Sequence, residues 1–486
     1  GVEVKKWAVW INQLRLWLTL FIDMPESLRE SRVALLPSLG FKVRCGDSLI
    51  QRVGGRLFPV RGEAQIPESA KRSLKELRRH KHEFFHNRGK SFEFIRKEEY
   101  TVFRNILDAQ IREKEQELVQ IRERSIHRKN QAGLGFETGV SVRGTPAAGQ
   151  ANNLEESLKK EIDDLKLEKD KVVKDSPLVW NIEFSEIFFD RGGFDIIIGN
   201  PPYVRQESID DPLGKVSSAT EYKTLLKQMV VLDFPAHFGS GRPISGRSDL
   251  YTYFYIHSLR ILNPKGIHVF ICSNSWLDVG YGAWLQEFLL RNVPVHFIFD
   301  NQAKRSFANA DVNTVITVMG APEEKVHSLD SLIRFVSIRK PFEESVFTEN
   351  LLVVEENEGR YSDETLRVAT RSSKQLLEEG MSEPEEESDL ISATYSGNKW
   401  GGKYLRAPDI FFTILEKGKG KLVKLGDIAE IRFGIKTGCN EFFYLSKEDA
   451  NRWKIEREFL KKAILNVDEL SIPGLSFVKP KGFFLF

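Results

Sequence analysis

The chain has 486 residues, of which 41% are hydrophobic and 29% charged, with a formal net charge of +2. This excludes a disordered or fibrous polypeptide and allows several packed domains. A near-neutral balance also means that any nucleic-acid surface is local rather than spread over the whole molecule. No signal peptide is expected, and no apolar run in the sequence is long enough for a membrane span. Cys45, Cys272 and Cys439 are too few and too scattered for a disulfide framework or a zinc site, which fits a reducing cytoplasm. The chain opens with Gly1 inside what reads as a fold element, so it is expected to be a piece of a longer protein.

In chain order, Gly1-Val2-Glu3-Val4 reads as the end of a strand that carries an acid. In Rossmann-like sheets an acid at such a strand tip accepts hydrogen bonds from ribose hydroxyls, and Glu3 is the candidate here. Trp7, Trp10, Ile11, Leu14, Trp17 and Leu18 recur at helical spacing and predict a helix whose aromatic stripe packs on a sheet. The segment Phe41–Leu49 predicts a second strand ending in the Gly46-Asp47 turn.

From about 67 to 174 the texture is that of a helical insertion. Lys71 to His86 is strongly charged, and Glu98 to Arg128 carries Ile106, Ile111, Leu118 and Ile121 on one seam. A Gly/Ser/Thr/Ala/Asn-rich loop, 131–153, separates this arm from Leu154–Val173, so the two arms are expected to pair as an antiparallel hairpin. The bland expectation is a solvated insertion. The sharper one is that Arg78, Arg79, Lys81, Arg122, Arg124, Arg128 and Lys129 touch phosphates.

The stretch that organises the rest is Phe194–Glu207. Ile196, Ile197 and Ile198 predict a short strand buried on both faces. Asn200-Pro201-Pro202-Tyr203 follows at its carboxyl end, where ligands sit in open α/β sheets. Two prolines fix the backbone and donate nothing, so the corner offers acceptors: the Asn200 side-chain oxygen and the Pro201 carbonyl. Two neighbouring acceptors suit an exocyclic NH2 group, and Tyr203 is placed to stack on the ring that carries it. Holding both hydrogens draws the nitrogen lone pair out of conjugation and makes it nucleophilic, so position counts for more than a strong base.

This corner resembles motif IV of the S-adenosylmethionine-dependent DNA adenine-N6 methyltransferases. The resemblance implies that Asn200 and the Pro201 carbonyl hold the adenine amino group and that Tyr203 stacks on the flipped base. It implies that Asp47 accepts from the amino group of the cofactor adenine, with Glu3 and Val4 on the same side and Leu49 or Ile50 against that ring. It places Phe307, in Arg305–Ala310, on the opposite face of the base. It also places a glycine-rich cofactor turn ahead of Gly1, outside the chain as given. Ser248–Phe254 resembles the helix start of the large type IIG-like restriction–modification methyltransferases, and 239–247 reads as a loop over DNA. Leu425–Tyr444 resembles the opening of their target-recognition domain.

The expected fold is therefore α/β: a Rossmann-like methyltransferase sheet in two parts, 1–66 and 176–345, with a helical insertion at 67–175. An acidic connector, 346–420, and an incomplete target-recognition domain, 421–486, follow. Double-stranded DNA is the expected partner, contacted by Arg205, Arg247, Arg432, Lys436 and Asn440. No metal is required, the expected setting is restriction–modification or phage exclusion, and whether the parent chain carries a nuclease domain stays open. Two other readings stay open: methylation of RNA or of a protein glutamine, and a non-catalytic DNA-binding or assembly subunit.

Overall fold

The computed structural model describes residues 1–26, 39–61, 66–86, 88–133, 146–303, 313–322, 329–381, 394–423, 425–429, 438–463 and 482–485. The chain divides into two compact units, Gly1–Ala407 and Pro408–Phe486. The division falls ahead of the expected boundary at 421.

The first unit is a mixed α/β structure around a seven-stranded sheet, in the order β10-β11-β9-β7-β8-β6-β5. Its strands are β5 (Phe194–Gly199), β6 (Leu262–Ser273), β7 (Val295–Asn301), β8 (Thr314–Gly320), β9 (Leu332–Ile338), β10 (Arg360–Ser362) and β11 (Leu366–Ser372). β5 and β6 run parallel, as do β7 and β9, whereas β8 is antiparallel to both β6 and β7. A separate parallel pair is formed by β1 (Val2–Glu3) and β2 (Arg44–Cys45), and β3 (Arg52–Val53) and β4 (Arg56–Leu57) form a small antiparallel ribbon.

Three expectations are corrected here. β5 forms, but Ile196 is 63% and Ile198 78% exposed. β5 sits at the end of the sheet, pairs with β6, and turns these side chains toward a cleft. An unbroken apolar run shows that a strand wants cover on both faces, but not that a neighbour supplies it. The aromatic helix α1 (Lys6–Ile22) likewise buries only Val9, leaving Trp7, Trp10 and Trp17 largely exposed. The stretch read as a connector instead supplies β10 and β11, which extend the main sheet through β9. Its acidic flanks masked the short strand Leu366-Arg367-Val368-Ala369, all four residues of which are buried.

The helical insertion is not merely solvated. α2 (Glu68–Phe85) starts behind Pro67 with Glu68 in its first turn, where an acid favours the helix dipole, and buries Ala70, Leu74, Leu77 and Lys81 at helical spacing. α3 (Phe92–Gly133) packs on α2 and on α4 (Pro146–Lys171), giving the expected hairpin. Ile95, Phe103, Ile106 and Leu107 share one apolar cluster with Phe41, Val53 and Phe58 from the first part of the chain. Each such side chain contributes roughly 1.5–3 kcal/mol by leaving water, so the insertion is fused to the rest by a common core. Three of the basic residues named for phosphate contact are engaged within the protein. Lys81 is fully buried, Arg79 pairs with Glu76 and Glu83, and Arg122 pairs with Glu155. The side chains of Arg128 and Lys129 lie outside the described residues.

The second unit contains a three-stranded antiparallel sheet in the order β12-β14-β13, from Tyr444–Ser446, Gly482–Leu485 and Leu460–Ala463. Among the described residues, no helix is long and apolar enough to cross a membrane.

Candidate active-site cleft

β5 ends at Gly199, where a Cβ would lie 2.7 Å from the Phe270 ring of β6, so the close approach of the two strands requires glycine there. The next residue, Asn200, is exposed, and its carboxamide makes no hydrogen bond among the described residues, while Pro201 behind it is buried. The Tyr203 hydroxyl donates to the Ile271 carbonyl at 3.1 Å, which hangs the ring from β6. Burial, with a smaller push from Cys272, raises that hydroxyl to about 12, so it stays a neutral donor. Two further bonds hold the loop. The Leu250 amide donates to the Val204 carbonyl at 3.0 Å, and the Gln206 amide donates to Asp249 Oδ1 at 3.0 Å. Asp249 precedes α8 (Leu250–Arg260), and its Oδ2 accepts from the Tyr281 hydroxyl at 3.0 Å.

Opposite this corner stand the ends of β1 and β2. The Gly46 amide donates to the Glu3 carbonyl at 3.0 Å, extending the parallel pair to the Asp47 turn. Asp47 is buried: its Oδ1 accepts from the Leu49 amide at 2.8 Å and its Oδ2 from the Tyr222 hydroxyl at 2.8 Å. Burial raises the Asp47 carboxyl above the usual carboxylate range, and the bonds from Leu49 and Tyr222 draw it partly back. Tyr222 stands in the first turns of α7 (Ala219–Asp233), whose N-cap Ser218 accepts from the Glu221 amide. The Glu3 carboxylate accepts from the Lys5 amide at 3.1 Å and is half-exposed.

These two edges face one cleft of about 860 Å³. Glu3, Val4, Asp47, Leu49, Asn200, Pro201 and Pro202 all line it, although the sequence separates them into three widely spaced segments. The sequence reading did not single out Trp180, Tyr222 and His257, which line it too. His257 bonds Asp233 through Nδ1 at 2.9 Å, and its buried Nε2 has no hydrogen-bond partner among the described residues. Only Tyr222 carried a usable signal, as an aromatic just inside a capped helix; the others needed tertiary contacts.

Tyr203, Arg205 and Arg247 are not among the residues that line this cleft. Arg205 and Arg247 are exposed on the loops after β5 and before α8. Asn440 is exposed at the start of a short helix in the second unit. Phe307, Arg432 and Lys436 lie outside the described residues.

The mixed α/β fold thus brings Asn200, Pro201 and Pro202 and the β1–β2 tips onto one cleft. Residues 1–307 match the Eco57I restriction-modification methylase family, and the chain belongs to that family. It is 33% identical over 132 residues to the type II methyltransferase M.BstVI of Geobacillus stearothermophilus, covering 27% of this chain and 19% of that protein. It is 27% identical over 290 residues to a putative type II restriction enzyme and methyltransferase of Methanocaldococcus jannaschii, covering 57% of this chain and 22% of that protein. The chain thus spans about a fifth of the length of these relatives. Among solved structures, the type IIG restriction endonuclease BpuSI is similar with a TM-score of 0.32 and 16% identity, over 60% of this chain and 31% of that one.

Proposed function

We propose that this chain belongs to the catalytic part of a DNA methyltransferase that transfers a methyl group from S-adenosylmethionine to adenine N6 in double-stranded DNA. The observation that carries this reading is the shared cleft: the exposed, unbonded Asn200 carboxamide looks into the same space as Glu3 and Asp47. The residues present fit the cofactor. Glu3 offers a carboxylate for ribose hydroxyls, Asp47 keeps acceptor capacity beyond its bonds from Leu49, Ile50 and Tyr222, and Val4 and Leu49 offer apolar walls to a flat ring. S-adenosylmethionine supplies a methyl group on a positively charged sulfur.

The protein's own part is positional. Asn200 Oδ1 and the Pro201 carbonyl accept the two hydrogens of the N6 amine, which frees its lone pair to form the new N–C bond while the methyl–sulfur bond would break and leave a neutral thioether; one N6 proton would then go to solvent. Tyr203, hung from Ile271, presents its ring to the flipped base. Arg205 and Arg247 are assigned to the DNA backbone, with Arg432, Lys436 and Asn440 in the recognition region and Phe307 on the second face of the base. The chain is placed in a restriction–modification or phage-exclusion system.

The decisive experiment is radiolabel transfer by Asn200→Ala, with duplex DNA, RNA and peptide compared as acceptors. Transfer to DNA is expected in the wild type and a loss of at least about 100-fold in the variant, with DNA binding retained. Normal transfer by Asn200→Ala, or a preference for RNA or peptide, would refute the reading.

A further inference from the structure

We propose that the buried ion cluster of Arg44, Lys81, Glu99 and Glu183 is a positioning device that locks the Asp47 turn, so that the helical insertion sets the affinity for S-adenosylmethionine. The inference rests on the proposed function and deepens it.

Arg44 sits on β2, directly before Cys45-Gly46-Asp47, and is buried. Its Nη2 lies 2.6 Å from Glu99 Oε1 on α3, and its Nε lies 2.8 Å from Glu183 Oε2. Glu183 ends the short helix α5 (Trp180–Glu183). Lys81 of α2, with no exposed surface, reaches Glu99 at 2.6 Å and donates to the carbonyls of Ile182 and Glu183 at 3.0 and 2.7 Å. Arg96 closes the cluster from its half-exposed rim, 2.5 Å from Glu99 and 3.3 Å from Glu183. Burial works against the Glu99 anion, yet Lys81, Arg44 and Arg96 outweigh it and hold the carboxyl at about 2.

The opposite end of α5 grips the cofactor turn. The Trp180 amide donates to Gln51 Oε1 at 2.8 Å, and its indole Nε1 donates to the Ser48 carbonyl at 3.0 Å. One short helix is therefore fastened to the insertion at its end and to both sides of Leu49 at its start. A cavity of about 450 Å³ also joins Asp47 and Tyr222 to Arg44, Arg96 and Glu183.

Stability alone does not account for charges placed here. Replacing a buried ion pair by well-packed hydrocarbon is often neutral or stabilising. What directional charge-assisted bonds add is a fixed geometry. The geometry at stake is that of Asp47, three residues beyond Arg44.

The test titrates the intact protein with S-adenosylmethionine and, separately, with duplex DNA, for the wild type and for Arg44→Met, Arg44→Lys and Arg96→Gln. Arg44→Met is expected to weaken cofactor binding at least tenfold and DNA binding less than twofold, with partial recovery in Arg44→Lys. Arg96→Gln acts at the partly exposed rim, keeps a polar side chain beside Glu99 and Glu183, and is expected to weaken cofactor binding about threefold. If Arg44→Met does not fold, Arg96→Gln decides. Unchanged cofactor affinity in a folded Arg44→Met, or in Arg96→Gln when it is the deciding variant, overturns this inference and leaves the proposed function standing. Equal losses for cofactor and DNA overturn it as well. A wild-type protein that binds no S-adenosylmethionine overturns both.

Discussion

Asp249 accepts a hydrogen bond from the Gln206 backbone N–H at 3.0 Å, which ties the start of α8 to the loop carrying Asn200 and Tyr203. The same carboxylate also accepts from Tyr281, so the loop is anchored to two elements rather than left to its prolines alone. For a mechanism that depends on position, this tether matters as much as the residues it holds. Asp249→Ala is expected to lower kcat by about 10- to 100-fold, since an ångström of misplacement is enough for such a loss. S-adenosylmethionine affinity is expected to be unchanged. Steady-state kinetics at saturating cofactor checks this, and an unaltered kcat rules the tether out.

Tyr203 has two separable parts. Tyr203→Phe removes the bond to the Ile271 carbonyl and keeps the ring. It is expected to reduce turnover severalfold. Tyr203→Ala removes the stacking surface, worth roughly 1–3 kcal/mol per base, and is expected to cost about 5- to 150-fold. Fluorescence of 2-aminopurine at the target position reports flipping directly. Equal flipping by Tyr203→Ala and the wild type contradicts the stacking role.

Tyr222 is the one side-chain donor to Asp47 among the described residues. Removing a hydrogen bond to a buried carboxylate costs on the order of 1.5–3 kcal/mol. Tyr222→Phe is therefore expected to lower the melting temperature. It also raises the Asp47 carboxyl further, because the hydroxyl helps to hold that carboxyl down. Cofactor affinity should then fall more steeply below neutral pH than in the wild type, which calorimetric titration over a pH series measures.

Two buried histidines make stability sensitive to acid. Burial lowers His268 to about 3, and burial, aided by Arg242 and Arg291, lowers His237 to about 3. Both folded values lie below the unfolded value near 6.5. Below that pH the unfolded chain takes up protons that the folded protein refuses, so stability is intact above about pH 6.5 and declines as pH falls toward 3. Each histidine contributes up to about 1.4 kcal/mol per pH unit in that window. His268→Gln is expected to flatten the slope by one such contribution. Urea unfolding between pH 7 and pH 5 tests it, and an unchanged slope shows that His268 does not titrate on unfolding.

The sequence by itself determined the local chemistry: the Asn200–Tyr203 corner, the acids at Glu3 and Asp47, the β5 strand and the α3–α4 hairpin. These are legible because proline, glycine and periodic apolar residues act over a few neighbours. The tertiary structure alone decided that the three segments share one cleft, that Lys81 is a buried ion-pair partner, that Ile196, Ile198 and the α1 tryptophans are exposed, and that β10 and β11 extend the sheet. The physical reason is that a residue's type fixes what it can bond, whereas burial and partner choice depend on which distant segment arrives beside it. Lys81 shows this directly. In sequence it is one more cation on a charged helix; in the fold it is enclosed by Glu99 and the carbonyls of Ile182 and Glu183.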